Sequence, residues 1–330
     1  MIAPVRVDMH THFLTTTLAG ALRQREELPR IVEREGREFV EYAPGAAYPL
    51  LADMIDLDEK IARIDAAGID LAVLSVNIPG VDYFAAGEGP SLARAVNDEL
   101  AATVSRYPER LAALATLPLQ VPEAAAEELG RAVGLGLKGA MVYSNVAGRP
   151  LDDADFQVMF AAAADLDVPV LLHPAAPLYS RNLEAHALIP VVGFLFDTTV
   201  ATLRLIYEGL YDRHPEFKLI LAHTGSLIPH LAGRIDHEGG RLGAGSGLQT
   251  PPIEALRRLY TDTICAWVPA LRSAIDFLGA ERVLLGTDAP FWEADITYGP
   301  LDELGLPHEI AARVNGGNAV RLFNLAPPDS

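Results

Sequence analysis

Short apolar segments alternate with longer segments of helical periodicity along most of the chain. Eight of the apolar segments have the length and composition of buried strands. They cover 5–9, 71–76, 111–116, 137–142, 168–173, 218–223, 259–263 and 282–288. Strands that alternate with helices form parallel sheets, and a closed barrel requires eight such units. The pattern therefore predicts an α/β fold, a (β/α)8 TIM barrel.

Helices are predicted at 58–67, 90–107, 122–133 and 153–165. In the last of these, Phe156, Met159, Phe160 and Ala163 recur at spacings of three and four residues. Residues at these spacings lie on one side of a helix, so we expect this side to pack on the barrel.

Two segments interrupt the alternation of strands and helices. Residues 15–52, which contain three prolines, are too long for an ordinary loop between a strand and its helix. They predict a small insertion after strand 1 that folds over the mouth of the barrel as a partial lid. Residues 237–252 are rich in glycine but have neither the strand-to-helix context nor the Lys-Ser/Thr ending of a phosphate-binding loop. We interpret them as a flexible loop, and the whole chain, 1–330, as a single domain.

Composition limits the classes of partner and the cellular location. The formal net charge is -18, which repels nucleic acids and anionic membrane surfaces. Cys265 is the only cysteine, so no internal disulfide forms and a cytoplasmic location is expected. The N-terminal residues lack a basic stretch followed by a long apolar one, and no segment approaches 18 uninterrupted apolar residues. We therefore expect neither a secretory signal nor a transmembrane helix.

Histidine and aspartate residues stand at the ends of several predicted strands. His10 and His12 are two residues apart at the end of the first strand, so their side chains point to the same side. His173, His223 and Asp288 end the fifth, sixth and eighth strands. Each of them alone is better interpreted as a hydrogen-bonded side chain at the end of a barrel strand. Together they favour a metal site, because strand ends meet around the axis of a barrel.

The donor set predicts the kind of metal. Three neutral imidazoles, from His10, His12 and His173, and the carboxylate of Asp288 suit one zinc ion with a position left open for water or substrate. One divalent ion per chain is therefore expected, zinc by preference, and manganese also fits a set of this kind.

Several longer motifs resemble those of the amidohydrolase-related decarboxylases, a group that includes the 2-amino-3-carboxymuconate-6-semialdehyde and 6-methylsalicylate decarboxylases. These motifs are VDMHTHF, LLHP, LAHTGSLIPHLAGRIDH, LLGTDAPF and GGNAVRLFNL, and the resemblance covers nearly the whole chain. It implies a metal-dependent carboxy-lyase that acts on a small aromatic or enolic carboxylic acid, such as a salicylate-like or muconate-like acid.

The resemblance also implies roles for individual residues. His10, His12, His173 and Asp288 match the metal ligands of the family, and His223 matches the histidine that acts beside the metal as acid or base. With Asp288, His223 would handle the proton. Arg234 matches an arginine that binds a substrate carboxylate across a dimer interface, which implies a homodimer or a higher homo-oligomer. From the residues alone, Arg234 could equally form an ion pair with Asp236 or Glu238 on the surface of a helix.

Some positions depart from the family or remain open. Val40 stands where the aminocarboxymuconate enzyme has a second substrate-binding arginine, and the GFLFDTT stretch is nearer to the methylsalicylate branch. Phe13, Phe291 and Trp292 follow ligand positions and could form an apolar wall for a planar substrate, or simply pack in the core.

Two other functions compete with decarboxylation. The same ligands could activate water for hydrolysis of a lactone, ester or amide, since a fold does not determine its chemistry. Against hydrolysis, the fourth strand lacks the terminal lysine that bridges a second metal in many hydrolases, and Lys138 lies near its beginning. A non-catalytic barrel that binds a small ligand is the third interpretation, and the complete set of metal ligands argues against it.

Overall fold

Eight parallel strands form a closed barrel in the computed structural model, which describes residues 5–180 and 182–326. Each strand pairs in parallel with the next along the chain, as Val170 of the fifth does with Leu219 of the sixth. The first and last strands meet at a parallel bridge between Thr11 and Ala289. The predicted (β/α)8 barrel is therefore confirmed.

All eight predicted strands are present, with shifted ends. The barrel strands are Val7–His12, Leu71–Ser75, Leu111–Ala113 continued by Ala115–Thr116, Ala140–Tyr143, Val170–His173, Leu219–Leu221, Tyr260–Asp262 and Val283–Leu284. The last is much shorter than predicted, although backbone hydrogen bonds that join Leu285, Asp288 and Ala289 to the first strand continue beyond its end.

Helices surround the barrel and include the four that the sequence predicts. The helices are Thr16–Arg23, Leu57–Ala66, Gly89–Arg106, Pro122–Gly134, Gln157–Asp165, Phe194–Tyr207, Leu210–Arg213, Ile228–Arg241, Pro252–Leu256, Val268–Leu278, Ala294–Glu303, His308–Ala312 and Asn318–Leu322. Local chemistry sets their starts: the side chain of Asp56 accepts hydrogen bonds from the amides of Asp58 and Glu59, as N-cap residues do.

The core lies inside the barrel and between the barrel and its helices. The fifth and sixth strands are buried along their whole length, as expected for parallel strands covered on both faces. The predicted apolar side of the helix Gln157–Asp165 is confirmed, because Met159, Phe160 and Ala163 are completely buried.

The insertion after the first strand has its own small sheet. It contains the helix Thr16–Arg23 and three antiparallel strands, Arg30–Arg34, Arg37–Ala43 and Ala46–Pro49. Tyr42 and Tyr48 of this sheet face the cavity at the barrel mouth. This position agrees with a partial lid, although the single-domain assignment and the role of residues 15–52 stay predictions.

Two further segments differ from the sequence expectations. The glycine-rich segment 237–252 is not a loop throughout, since the helix Ile228–Arg241 includes its first five residues.

The helical segment Ile189–Tyr207 has the length and apolar composition of a membrane-spanning helix, with a mean hydropathy of 1.6, although half of it is buried in the fold. Its buried residues, including Leu205 and Ile206, pack into the barrel core, as in a core helix of a globular protein.

Candidate active site

His10 and His12 point into the barrel from the end of the first strand. Both side chains are completely buried, and their Nε2 atoms lie 3.3 Å apart. Side chains alternate along a strand, so Phe13 points to the opposite side. Phe13 is 4% exposed within the hydrophobic core and does not line the cavity, which favours packing in the core over contact with substrate.

Three other strand ends bring their side chains to the same place. The ring of His173 lies 5.2 Å from that of His10 and 4.9 Å from that of His12. Asp288 places Oδ1 2.9 Å from Nε2 of His12 and Oδ2 3.6 Å from Nε2 of His223. The barrel thus brings together all five residues that the sequence selected for metal binding and proton transfer.

Five side chains are one more than the predicted four-ligand shell needs. Donor atoms of His10, His173, His223 and Asp288 all lie within 4.8 Å of one another, a set that contains His223 and leaves out His12. The contact of His12 with Asp288 keeps it beside the same centre. The assignment of His10, His12, His173 and Asp288 as ligands, with His223 as a separate acid or base, therefore stays a prediction.

The hydrogen-bond partner of Nδ1 distinguishes the histidines of this cluster from one another. Nδ1 of His10 is 2.9 Å from Asp262, that of His173 is 2.9 Å from the carbonyl of Pro174, and that of His12 is 3.3 Å from Ser75. Such partners fix the ring so that Nε2 is the free ligand atom. Within the described part of the chain, Nδ1 of His223 is buried without a hydrogen-bond partner.

Asp262, at the end of the seventh strand, is a site residue that the sequence analysis missed. It is completely buried. Its Oδ2 contacts Nδ1 of His10 and accepts the amide of His223 at 2.9 Å, while Oδ1 accepts the amides of Thr224 and Ile264. The only available signal was its place in the predicted strand LYTDT.

The backbone adopts left-handed conformations where two site residues leave their strands. His223 and Thr224 have φ values of 58° and 55°, and Asp288 has 55°. Such conformations are uncommon for residues with a side chain and are enriched at functional sites. Hydrogen bonds from the amides of His223 and Thr224 to Asp262 hold the first of these turns.

Burial and local charge set protonation states that suit a metal. Burial lowers the pKa of His12 to about 4 and that of His173 well below its usual value, so both imidazoles are neutral. Burial opposes ionisation of Asp288, but hydrogen bonds from His12 and His223 outweigh it and hold the pKa of the carboxyl well below its usual range. Neutral imidazoles and an ionised carboxylate are the forms that bind divalent ions, so these residues fit the predicted metal.

A cavity of about 960 Å³ opens from this cluster towards the surface. Phe291 and Trp292 line it, and their contact with substrate stays a prediction. His230 lines it too, and the sequence analysis did not select this residue. Arg234 is exposed on the helix Ile228–Arg241 and is not part of the lining that this chain provides.

The model of the amidohydrolase family matches residues 7–325, which is nearly the whole chain. The chain belongs to this amidohydrolase family. The match includes every residue of the site, from His10 to Asp288.

Several relatives of this chain are named as decarboxylases. The chain is 34% identical over 307 residues to a gamma-resorcylate decarboxylase from Polaromonas sp. strain JS666, covering 86% of this chain and 93% of the relative. It is 30% identical over 278 residues to a 2-amino-3-carboxymuconate-6-semialdehyde decarboxylase from Dictyostelium discoideum, covering 82% and 77%. A 6-methylsalicylic acid decarboxylase from Penicillium expansum is 25% identical over 328 residues, covering 96% of each chain.

A solved structure of similar fold carries a metal. It is a dihydroxybenzoic acid decarboxylase from Polaromonas sp. JS666 with bound manganese and the inhibitor 2-nitroresorcinol. Its TM-score is 0.82 at 28% identity, over 97% of each chain. Together with the relatives, it confirms that the chain is a carboxy-lyase of the amidohydrolase superfamily.

Proposed function

We propose that this enzyme is a metal-dependent, non-oxidative decarboxylase of a small aromatic carboxylic acid with a hydroxyl group beside the carboxylate. The observation that carries the proposal is the convergence of His10, His12, His173, His223 and Asp288 at the inner end of an apolar cavity. Relatives named for aromatic acids support a salicylate-like substrate over a muconate-like one.

The metal would be one divalent ion held by His10, His12, His173 and Asp288. When bound, it would hold the substrate carboxylate and the neighbouring oxygen and withdraw electron density from them. The donor set suits zinc, and the manganese in the Polaromonas structure supports manganese. Metal analysis of the purified protein distinguishes the two.

His223 would supply the proton that the reaction requires. Decarboxylation breaks the bond between the ring carbon and the carboxylate, and the electron pair stays on the ring until that carbon takes a proton. His223 lines the cavity and is more accessible than His10 and His12, with 12% of its side chain exposed. Its Nδ1 lacks the protein partner that fixes the other three imidazoles, which supports proton transfer rather than ligation. Asp288, 3.6 Å away, would stabilise the protonated ring.

A panel of acids tests the proposed function. The protein, reconstituted with manganese or zinc, is incubated with 2,6-dihydroxybenzoate, 2-hydroxybenzoate, 6-methylsalicylate and a muconate, and carbon dioxide is measured. We expect release from one or more of the hydroxybenzoates, and none from benzoate, which lacks the neighbouring hydroxyl. Release from no acid in the panel by either metal form would contradict the proposal.

Hydrolysis is the competing reaction at the same centre. The fourth barrel strand ends at Tyr143, and Lys138 lies at the opposite end of the barrel, where it contacts the carbonyl of Asn324. This arrangement provides no lysine to bridge a second ion on that strand, which supports decarboxylation.

Assembly and location complete the proposal. Glu238, a candidate partner of Arg234, pairs instead with Arg241, and Arg234 stands exposed. This exposed position supports a role for Arg234 at an interface between the subunits of a homodimer or higher oligomer. We propose such an assembly in the cytoplasm, with size-exclusion chromatography coupled to light scattering as its test.

A further inference from the structure

The cavity is larger than a single-ring acid needs. Its volume of about 960 Å³ lies at the upper end of the roughly 300–1,000 Å³ typical of pockets for drug-sized ligands. A hydroxybenzoate bound at the metal donors would fill only the inner end. The remaining volume is therefore available for a further part of the substrate.

Aromatic rings form a continuous wall along the cavity, beginning beside the metal donors. The ring of Phe291 lies 5.9 Å from that of His12, and the ring of Tyr48 lies 5.2 Å from Phe291. Tyr42 follows at 6.0 Å from Tyr48, and Phe194 at 6.2 Å from Tyr42. These spacings are those of rings in contact, so a single ring at the donors reaches only the first part of the wall.

The wall offers mainly the apolar surface of its rings. The hydroxyl of Tyr48 donates to the carbonyl of Ile78 at 2.5 Å, so this residue presents its ring to the cavity. At the mouth, Val191 and Trp267 line the cavity and are 64% and 68% exposed. None of the lining residues in the described part of the chain is Lys or Arg.

We propose that the substrate is an aromatic acid with an extended, uncharged apolar substituent that lies along the wall Phe291–Tyr48–Tyr42–Phe194. This inference rests on the proposed function, because the carboxylate must bind at the metal donors for the substituent to point outwards. With the carboxylate held at the inner donors, the ring atom opposite it points away from them, so the substituent is placed at that position.

A series of 2-hydroxybenzoates with linear 4-alkyl chains of zero to six carbons tests the inference. Burial of one methylene contributes about 0.8 kcal/mol, or roughly fourfold. We expect kcat/KM to rise by up to this factor per carbon, mostly through KM, since the chain contacts the enzyme equally before and during the reaction. A value of kcat/KM that stays constant or falls along the series would overturn the inference.

Binding measurements keep the two proposals separate. Calorimetry on the manganese-loaded protein gives the Kd of each acid whether or not it reacts. Longer chains that bind more tightly without release of carbon dioxide would support the inference and contradict decarboxylation. An acid of matched length that ends in a second carboxylate should lose the gain, and equal gain with the charged chain would overturn the apolar assignment.

Two phenylalanines on one helix provide a matched pair of variants. Phe194→Ala shortens the wall and should reduce the ratio of kcat/KM values between the six-carbon and unsubstituted acids. Phe196, two residues further on, is 47% exposed and does not line the cavity, so Phe196→Ala should leave that ratio unchanged. Circular dichroism confirms that both variants fold, and equal ratios in the two would overturn the inference.

Discussion

Asp262 joins the metal donors to the proposed proton donor through one oxygen atom. Its Oδ2 lies 2.9 Å from Nδ1 of His10 and accepts the backbone amide of His223 at the same distance. Burial lowers the pKa of His10, but the hydrogen bond that His10 donates to Asp262 and the nearby carboxylate charges outweigh burial and raise it. One buried carboxylate thus orients a ligand ring and the turn that carries His223.

Asp262→Asn should weaken metal binding. The amide keeps the size of the side chain but removes the negative charge that makes His10 a stronger donor, and loss of such partners typically lowers metal affinity by about 10-fold to 100-fold. Metal content at a series of buffered free-metal concentrations gives the affinity. Asp236→Asn, at an exposed position, is the control, and equal affinities in the two variants would remove Asp262 from the metal site.

The double substitution His10→Ala and His12→Ala should remove both metal and activity from a folded barrel. Both imidazoles point at the centre from one strand, so their loss leaves only His173 and Asp288 of the four predicted ligands. Metal analysis measures the loss of the ion, and circular dichroism shows whether the barrel still folds. A double variant with a full complement of metal would show that the ion is bound elsewhere.

His223→Asn should reduce the rate by a factor on the order of a hundred to ten thousand, as expected for loss of a proton-transfer group. The metal content should remain that of the unmodified enzyme. This measurement also decides between the two interpretations of the five-residue cluster, because loss of metal would make His223 a ligand. Full activity would exclude it from proton transfer.

Asp82→Asn should stabilise the enzyme above neutral pH. Asp82 is 2% exposed, neither of its oxygens has a hydrogen-bond partner among the described residues, and burial raises its pKa to about 7. The unfolded carboxyl ionises near 3.8, so the folded protein loses stability from this group as pH rises from about 4 to about 7. At pH 8 the penalty that Asn removes is at most roughly 4 kcal/mol, at about 1.4 kcal/mol per pKa unit.

Urea unfolding of the Asp82→Asn variant at pH 8 and pH 5 measures this effect. We expect a clear increase of the midpoint over the unmodified enzyme at pH 8 and a smaller one at pH 5. Asp276→Asn, at an exposed position, should change neither. A gain that does not depend on pH would show that ionisation of Asp82 is not its cause.

The strands and the histidine cluster were predictable because the information is local. Apolar segments predict each strand, and a polar residue at the end of a strand lies at the barrel mouth regardless of the conformation of the loops. The side of the strand also follows from alternation, which should have assigned Phe13 to the core beside the inward-pointing His12.

The rest of the site depends on pairings that the sequence does not contain. Asp262 is separated from His10 by 252 residues, and only the closed barrel shows that the two side chains meet. The wall combines Tyr42 and Tyr48 of the insertion with Phe194 and Phe291 of the barrel, and nothing local fixes how the insertion sits on the mouth. Arg234 lies outside this chain's cavity, so its predicted role depends on a partner subunit.

Incorporation of isotopes from labelled water into the product tests most directly whether the enzyme is a decarboxylase. The manganese-loaded enzyme is given 2,6-dihydroxybenzoate, or whichever acid of the panel reacts best, in deuterated water that also contains labelled oxygen. Decarboxylation predicts one deuterium at the carbon that lost the carboxylate, with an equal amount of carbon dioxide, because His223 exchanges its proton with solvent before delivering it. If these acids remain unchanged while esters or lactones gain labelled oxygen in a new carboxylate without release of gas, the enzyme is a hydrolase and the account is wrong.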